Sequence, residues 1–241
     1  LSKTFMMIQH TVLFKFPELD AAGEAALRTI VAAFDAFPGI SARFAAAGGP
    51  GGMTTEQLLD AVGSPDRRRG FTHCLLVVAD TAAALKAYLH SDAHLVDWMA
   101  AVKPYGRGIL VFDSALQDAE VLVRPPSSIM HAVAIRAVAP FSQDEVAAAI
   151  KAVAELDGVT ASFEPHLGAA FLASVEWPDK AGGYTHLCTV VAADLAALQT
   201  YVRSPAHDAL KAACGAENLV ADPVIFDCCP FGGDESAATS P

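Results

Sequence analysis

The sequence predicts an α+β protein of two ferredoxin-like β-α-β-β-α-β repeats that close into one intramolecular α/β barrel. Three observations lead there. First, the stretch from Phe71-Thr72-His73 to Ser91-Asp92-Ala93-His94 returns 113 residues later, from Tyr184-Thr185-His186 to Ser204-Pro205-Ala206-His207, with twelve of twenty-four positions identical and no gap. Polar and aromatic residues repeated at fixed spacing in an apolar background mark a duplicated structural unit. Second, each half reads strand, helix, strand, strand, helix, strand, the split order that puts helices on one face of a four-stranded sheet. Third, the other face of such a sheet is apolar and cannot be left in water, and a second copy on the same chain can cover it.

Residues 8–16 alternate, with Ile8, His10, Val12, Phe14 and Phe16 on one face and Gln9, Thr11, Leu13 and Lys15 on the other, as a strand does. Leu27, Ile30, Val31 and Phe34 give the stripe of an amphipathic helix over 20–37, stopped by Pro38-Gly39. Residues 40–47 follow as an Ala-rich second strand. Gly48-Gly49-Pro50-Gly51-Gly52 has no Gly-Lys-Ser/Thr after it, so it reads as a surface insertion rather than a phosphate cradle, with a short helical turn at 55–60. Phe71, His73, Leu75 and Val77 share one face of a third strand through Ala79. A helix over 81–90, a break at Ser91, a second short helix to about Lys103 and a strand at 108–113 complete the copy.

The second copy repeats the order. His131 opens a strand through Arg136, Ser142-Gln143-Asp144-Glu145 is a capping-box start, and Val146, Ile150, Val153 and Leu156 give the helix stripe that Gly158 stops. Strands at 158–165, 184–192 and 222–227 and helices at 194–203 and 205–213 follow. The expected division is a first repeat over 1–115, a linker over 116–128 containing Pro125-Pro126, a second repeat over 129–230 and a frayed tail over 231–241.

A hydrophobic share of 53% fits a globular chain with a real core, and a net charge of −11 argues against nucleic acid or an anionic membrane surface as partner. No apolar run approaches the ~20 residues of a membrane span. The basic run Arg67-Arg68-Arg69 sits in a Gly/Pro-flanked loop and reads as a solvated turn. Five Cys without a CxxC pair suit a reducing compartment, cytoplasmic or plastid. The chain begins at Leu1 rather than Met, consistent with a removed leader or tag.

Six of the eight His fall at three repeated positions, namely 10 and 131, 73 and 186, and 94 and 207. His90 and His166 have no counterpart and read as surface residues, while Asp113 and Asp227 end strands and read as turn caps. In the split fold the first and third strands are central neighbours, so His10 and His73 could meet. Paired His suggests a transition metal, but no carboxylate or Cys is placed to complete a shell, so a buried hydrogen-bonded pair is expected and no metal. Ser204 reads as an N-cap with Pro205 first in the helix, which puts His207 at the third position, and the same count from Ser91 gives His94. The positive end of a helix disfavours imidazolium there, leaving a neutral imidazole that can accept a proton. Tyr201 and Tyr88 precede the break and could converge with these His. The plainer alternative is a His bonded to backbone beside a Tyr that only packs.

Taken together, the His-Thr-Val-Leu-Phe-Lys-Phe strand at 10–16, the Phe/Tyr-Thr-His strands at 71–73 and 184–186, and Tyr201, Pro205 and His207 at the helix break resemble the stress-responsive dimeric α/β-barrel (Dabb) family. At 88–94 the match lacks Pro, because Asp92 stands in that place. Most members are single repeats that dimerise, so the resemblance implies a covalent pseudo-dimer, with a further homodimer open. A distant catalytic relative is olivetolic acid cyclase, which closes a polyketide by aldol condensation without a cofactor. By that similarity His207 or His94 is the general base, Tyr201 or Tyr88 its phenolic partner, and His10, His73, His131 and His186, with Phe71 and Tyr184 beside them, line the same cavity.

The resulting expectation is a tandem stress-responsive barrel that binds a small hydrophobic, carbonyl-bearing ligand in two unequal His/Tyr pockets, with cyclase-type activity as a subsidiary reading. Two alternatives stand beside it, a non-catalytic stress or interaction scaffold and a haem-binding or haem-degrading barrel.

Overall fold

The alternation at 8–16 becomes strand β1, Met7–Phe14, in the computed structural model, which describes residues 7–116, 124–137, 142–214 and 220–231. The middle of the expected linker, 117–123, and the tail at 232–241 lie outside the described residues. Helix α1, Ala21–Phe34, follows because the Asp20 side chain accepts from the Gly23 amide, and because Leu27, Val31 and Phe34 fall on one buried stripe. Burying each of those side chains contributes roughly 1.5–3 kcal/mol. The chain then turns through Gly39 at φ 72°, and the matching stop in the second copy is Gly158 at φ 69°.

The first copy continues with β2 (Ile40–Ala46), α2 (Thr55–Val62), β3 (His73–Ala79), α3 (Ala82–Leu89), a π-helical turn over Ala93–Trp98, α4 (Met99–Val102) and β4 (Ile109–Leu116). The second runs β5 (Ile129–Ala137), α5 (Gln143–Ala154), β6 (Val159–Pro165), α6 (Gly168–Ser174), β7 (His186–Ala192), α7 (Leu195–Val202), α8 (Pro205–Ala213) and β8 (Val220–Cys228). Ser142 caps α5 by accepting from the Glu145 amide, as the capping box predicts. Helix α6 has no such signal. It begins after Leu167 with no side-chain cap, whereas α2, at the same place in the first copy, has a full capping box between Thr54 and Gln57.

The strands form two four-stranded antiparallel sheets in the same order, β2-β3-β1-β4 and β6-β7-β5-β8, an α+β ferredoxin-like arrangement. The single closed barrel expected from the sequence is not formed. Each sheet keeps its own edge strands, and beyond the ladders only isolated bridges occur among the described residues, at Ala47–Cys228 and Ser114–His166. After the Ala47 bridge the chain leaves the extended path, turning through Gly48 at φ 141°.

One face of the first sheet is its helix side. Val12, Phe14, Leu75, Val77 and Val111 cluster there with Leu27, Val31 and Phe34 of α1 and Leu85 and Tyr88 of α3. By alternation His10 lies on this same face. Two compact units result, and each draws on both sequence copies. The first takes Leu1–Ala46, Arg68–Ala119 and Glu164–Leu187, and the second takes Ala47–Arg67, Glu120–Phe163 and Cys188–Pro241. Thus α6 belongs with the first sheet, where Phe171 and Trp177 pack on its core, and α2 with the second, where Leu58 and Val62 are core residues.

Candidate functional site

Each unit has a cavity between its sheet and its helices. In the first it measures about 680 Å³, with β1 residues His10, Val12 and Phe14 on one wall and His94, Trp98 and Val102 on the other. The second measures about 220 Å³ and is lined in part by His131, Asp227, Tyr201 and His207.

At the sheet wall a His faces an Asp across neighbouring strands. His10 is opposite Asp113 in the β1–β4 register, and its Nδ1 lies 2.7 Å from Asp113 Oδ1, both side chains almost wholly buried. The second unit repeats this, His131 opposite Asp227 at 2.7 Å. With a carboxylate accepting, each pair holds a proton on Nδ1. Neither Asp is the turn cap that its place near a strand end suggests. Strand β4 runs on to Leu116 and β8 to Cys228, so both carboxylates are within the ladder.

At the helix wall a second His is held in each unit. Ser91 Oγ accepts from the His94 amide at 3.2 Å, and His94 Nδ1–H donates to the Leu89 carbonyl at 3.0 Å. Ser204 Oγ accepts from the His207 amide at 3.1 Å, and His207 Nδ1–H donates to the Val202 carbonyl at 2.8 Å. Since a carbonyl can only accept, Nε2 is the free nitrogen of these rings when neutral. Burial above all, then the charge of His10, pushes His94 down to about 4, against the smaller opposing effect of the Leu89 carbonyl; Lys180 and His90 add to the lowering. His207 is lowered by burial first and then by Lys211, with the Val202 carbonyl opposing and His131 adding to the lowering. Both are neutral bases at pH 7, through burial more than through helix position.

The tyrosines divide. Tyr201 lines the second cavity, its ring 4.9 Å from His207 and 5.8 Å from His131. Tyr88 is fully buried against Phe34 and outside the cavity wall, and its hydroxyl has no hydrogen-bond partner among the described residues. Burial raises both phenols above their ordinary value.

His73 and His186 are outside both cavity linings, contrary to expectation. His73 pairs with Phe14, four residues along β1 from His10, a separation of about 13 Å at strand rise, so the two do not meet. Instead His73 Nδ1 lies 2.9 Å from Thr72 Oγ1, its ring stacks on Phe44, and Glu24 approaches its Nε2 at 3.9 Å. That His73 contact is the main reason the Glu24 carboxyl is held down at about 2. His186 has the same Thr185 contact at 2.9 Å. Phe71 packs under Lys15, and neither it nor Tyr184 lines either of these two cavities. His90 and His166 are not idle surface residues either. His90 Nε2 lies 3.0 Å from the Val175 carbonyl, and the Asp113 amide donates to His166 Nδ1 at 3.2 Å.

Three cavity residues escaped the sequence reading. Trp177 and Lys180 line the first cavity, with Trp177 edge-on to His94 at 5.2 Å and Lys180 Nζ 5.9 Å from the Trp177 ring. Arg67 lines the second rather than standing only in a solvated turn. The signal was available, because Pro65-Asp66-Arg67 recurs 113 residues on as Pro178-Asp179-Lys180. The backbone agrees. The Val111 amide donates to the Lys180 carbonyl at 3.1 Å, and the Ile225 amide to the Arg67 carbonyl at 3.2 Å.

No family profile matches the sequence, and no curated protein matches it either. Solved structures do. A candidate monooxygenase from Fusobacterium nucleatum superposes with a TM-score of 0.60 at 8% identity, over 95% of this chain and 94% of its own. An anthrone oxidase-like protein gives 0.57 at 11% identity over 99% and 98%, and a candidate chlorite dismutase gives 0.57 at 12% over 94% and 95%. At such identities the likeness shows the fold alone: this chain shares an α+β ferredoxin-like fold with these proteins over nearly its whole length.

Proposed function

We propose that each unit binds a small, largely apolar carbonyl-bearing molecule and that paired histidines act on it by proton transfer, without a cofactor, as a divergent tandem relative of the stress-responsive family. The observation that supports this reading is the Asp–His pair, repeated in both units beside a second His whose Nδ1 is tied to a backbone carbonyl. That arrangement leaves the Nε2 of the neutral second His available beside an apolar cavity, which suits removal of a proton next to a carbonyl.

In the step envisaged, the C–H proton passes to Nε2 of His207 and the electron pair moves onto the carbonyl oxygen. Tyr201 supplies a hydrogen bond to the resulting enolate. The enolate carbon then attacks a second carbonyl of the same chain, closing a ring, and the new alkoxide takes a proton back. In the first unit His94 takes the place of the base, and Tyr88 takes no part.

Two measurements test this. Deuterium exchange into a β-diketone in D2O should be catalysed and should fall in both His94→Ala and His207→Ala. A panel of polyketide-type thioesters should yield cyclised product that falls in His207→Ala and is abolished when His94→Ala is combined with it. Neither exchange nor product would leave the scaffold reading, in which Ala at Tyr88, His94, Tyr201 and His207 shifts melting but no ligand titration. A Soret shift on haem addition that His10→Ala removes would assign the first cavity to haem instead.

A further inference from the structure

The first cavity combines two features that the second lacks. Among the described residues, the ionisable side chains in its wall are His10, His94, Lys103 and Lys180, all bases, in a chain of net charge −11. The second wall includes the Asp227 carboxylate. The exposed large apolar side chains among the described residues are Leu95, Val96, Met99 and Ile109, and all four ring the mouth of the first cavity. The 113-residue shift puts Asp208 and Ala209 where the first copy has Leu95 and Val96, so the apolar rim belongs to one copy only.

Lys180 is half-buried and has no carboxylate partner among the described residues, its Nζ resting near the Trp177 ring. Its charge is felt at His94. A half-buried cation without a counter-ion is costly unless a ligand supplies one. Val96 is 57% exposed and Leu95 44%, an apolar surface that solvent alone does not favour.

We infer that the first cavity takes an amphipathic monocarboxylate, with Lys180 as the counter-ion for the head group and the Leu95, Val96, Met99 and Ile109 rim as the bed for its apolar chain. This rests on the ligand-binding reading above and names the substrate class for one of its two sites. A cavity of about 680 Å³ is within the range that holds a drug-sized molecule. The Lys180 ammonium is a compact point charge that can take one carboxylate as its counter-ion.

Both tryptophans of the chain, Trp98 and Trp177, line this cavity, so intrinsic fluorescence reports on it without a label. The full-length protein is titrated with decanoate, decanol, 2-decanone and butyrate. Decanoate should change the fluorescence saturably and bind tighter than decanol, and butyrate should bind far more weakly. Lys180→Met should weaken decanoate about tenfold while leaving decanol nearly unchanged, with Lys180→Arg restoring most of the loss. Val96→Asp should weaken all three ten-carbon ligands. Equal affinity for decanoate and decanol, or an indifferent Lys180→Met, overturns the inference. If 2-decanone binds and decanoate does not, the inference fails while the carbonyl-ligand reading stands. If no ten-carbon ligand binds, both fall for this cavity.

Discussion

Asp113 does for His10 what no nearby residue in sequence could, since the pair is 103 positions apart and meets at 2.7 Å only through the β1–β4 register. Asp113→Asn keeps the shape, but its amide can either accept from or donate to the ring, so the His10 tautomer is no longer fixed. Placed on His207→Ala, so that only the first unit is active, the variant should lose at least about tenfold in exchange rate at little cost in melting temperature, and Asp227→Asn on His94→Ala should do the same for the second unit. A protein that unfolds on either change would mark the pair as structural. His94 makes a stability prediction with a definite sign. Its folded value near 4 lies below the ordinary 6.5, so the unfolded chain binds the extra proton between those limits. Stability is therefore full above pH 6.5 and declines as pH falls towards 4, by roughly 2 kcal/mol at pH 5. His207 and His186, also lowered by burial, add to the same slope. Melting curves at pH 7 and pH 5 should show the loss in the wild type and a smaller one in His94→Asn. The histidines themselves were legible as repeated letters in the sequence. Their partners were not, because a cross-strand neighbour becomes visible only when the register is known.

At the scale of elements, the helix break before each cavity is built the same way twice and finished differently. Ser91 and Ser204 each donate to a Tyr carbonyl, at 2.7 Å, and each accepts from the His amide three residues on. With Pro205 in place the second copy proceeds into a regular α8, whereas Asp92 leads the first into a π-helical turn carrying His94 and Trp98 in its buried face. Such turns often mark functional sites. Ser204→Ala removes an N-cap and should cost about 1 kcal/mol, a fall of roughly 2–4 °C in melting temperature. An unchanged melting temperature would mean that Pro205 alone fixes the helix start. The Ser-Pro-Ala-His signature made α8 readable in advance, and the capping box did the same for α5. Helix α6 was unreadable for a physical reason: Leu167 offers no side-chain acceptor, and Gly168, at φ 73°, gives the sequence a stop signal where a helix starts. Its hold on the structure is tertiary, through Phe171 and Leu172.

Across the whole molecule, the two sheets follow the duplication seen in the sequence, but the two units do not follow its boundaries. Residues 164–187 serve the first unit and 47–67 the second. Periodicity reports which face of a segment is apolar and is silent on which sheet that face will reach, so these destinations were beyond the sequence. The consequence can be tested with fragments. Residues 1–119 alone lack Trp177 and Lys180, and 120–241 alone lack Leu58, Val62 and Arg67. Each should show weak cooperative melting and bind a hydrophobic dye, and mixing the two should restore a sharp transition. Fragments that melt separately like the intact chain would show that the borrowed segments are dispensable.

This reciprocity ties the histories of the two copies together. After a gene duplication one copy is ordinarily free to drift while the other keeps the original task. Here position 180 of the second copy lines the first cavity and position 67 of the first copy lines the second, so a change in either copy reaches the pocket of the other. Specialisation of one pocket must therefore be written partly in the DNA of its twin.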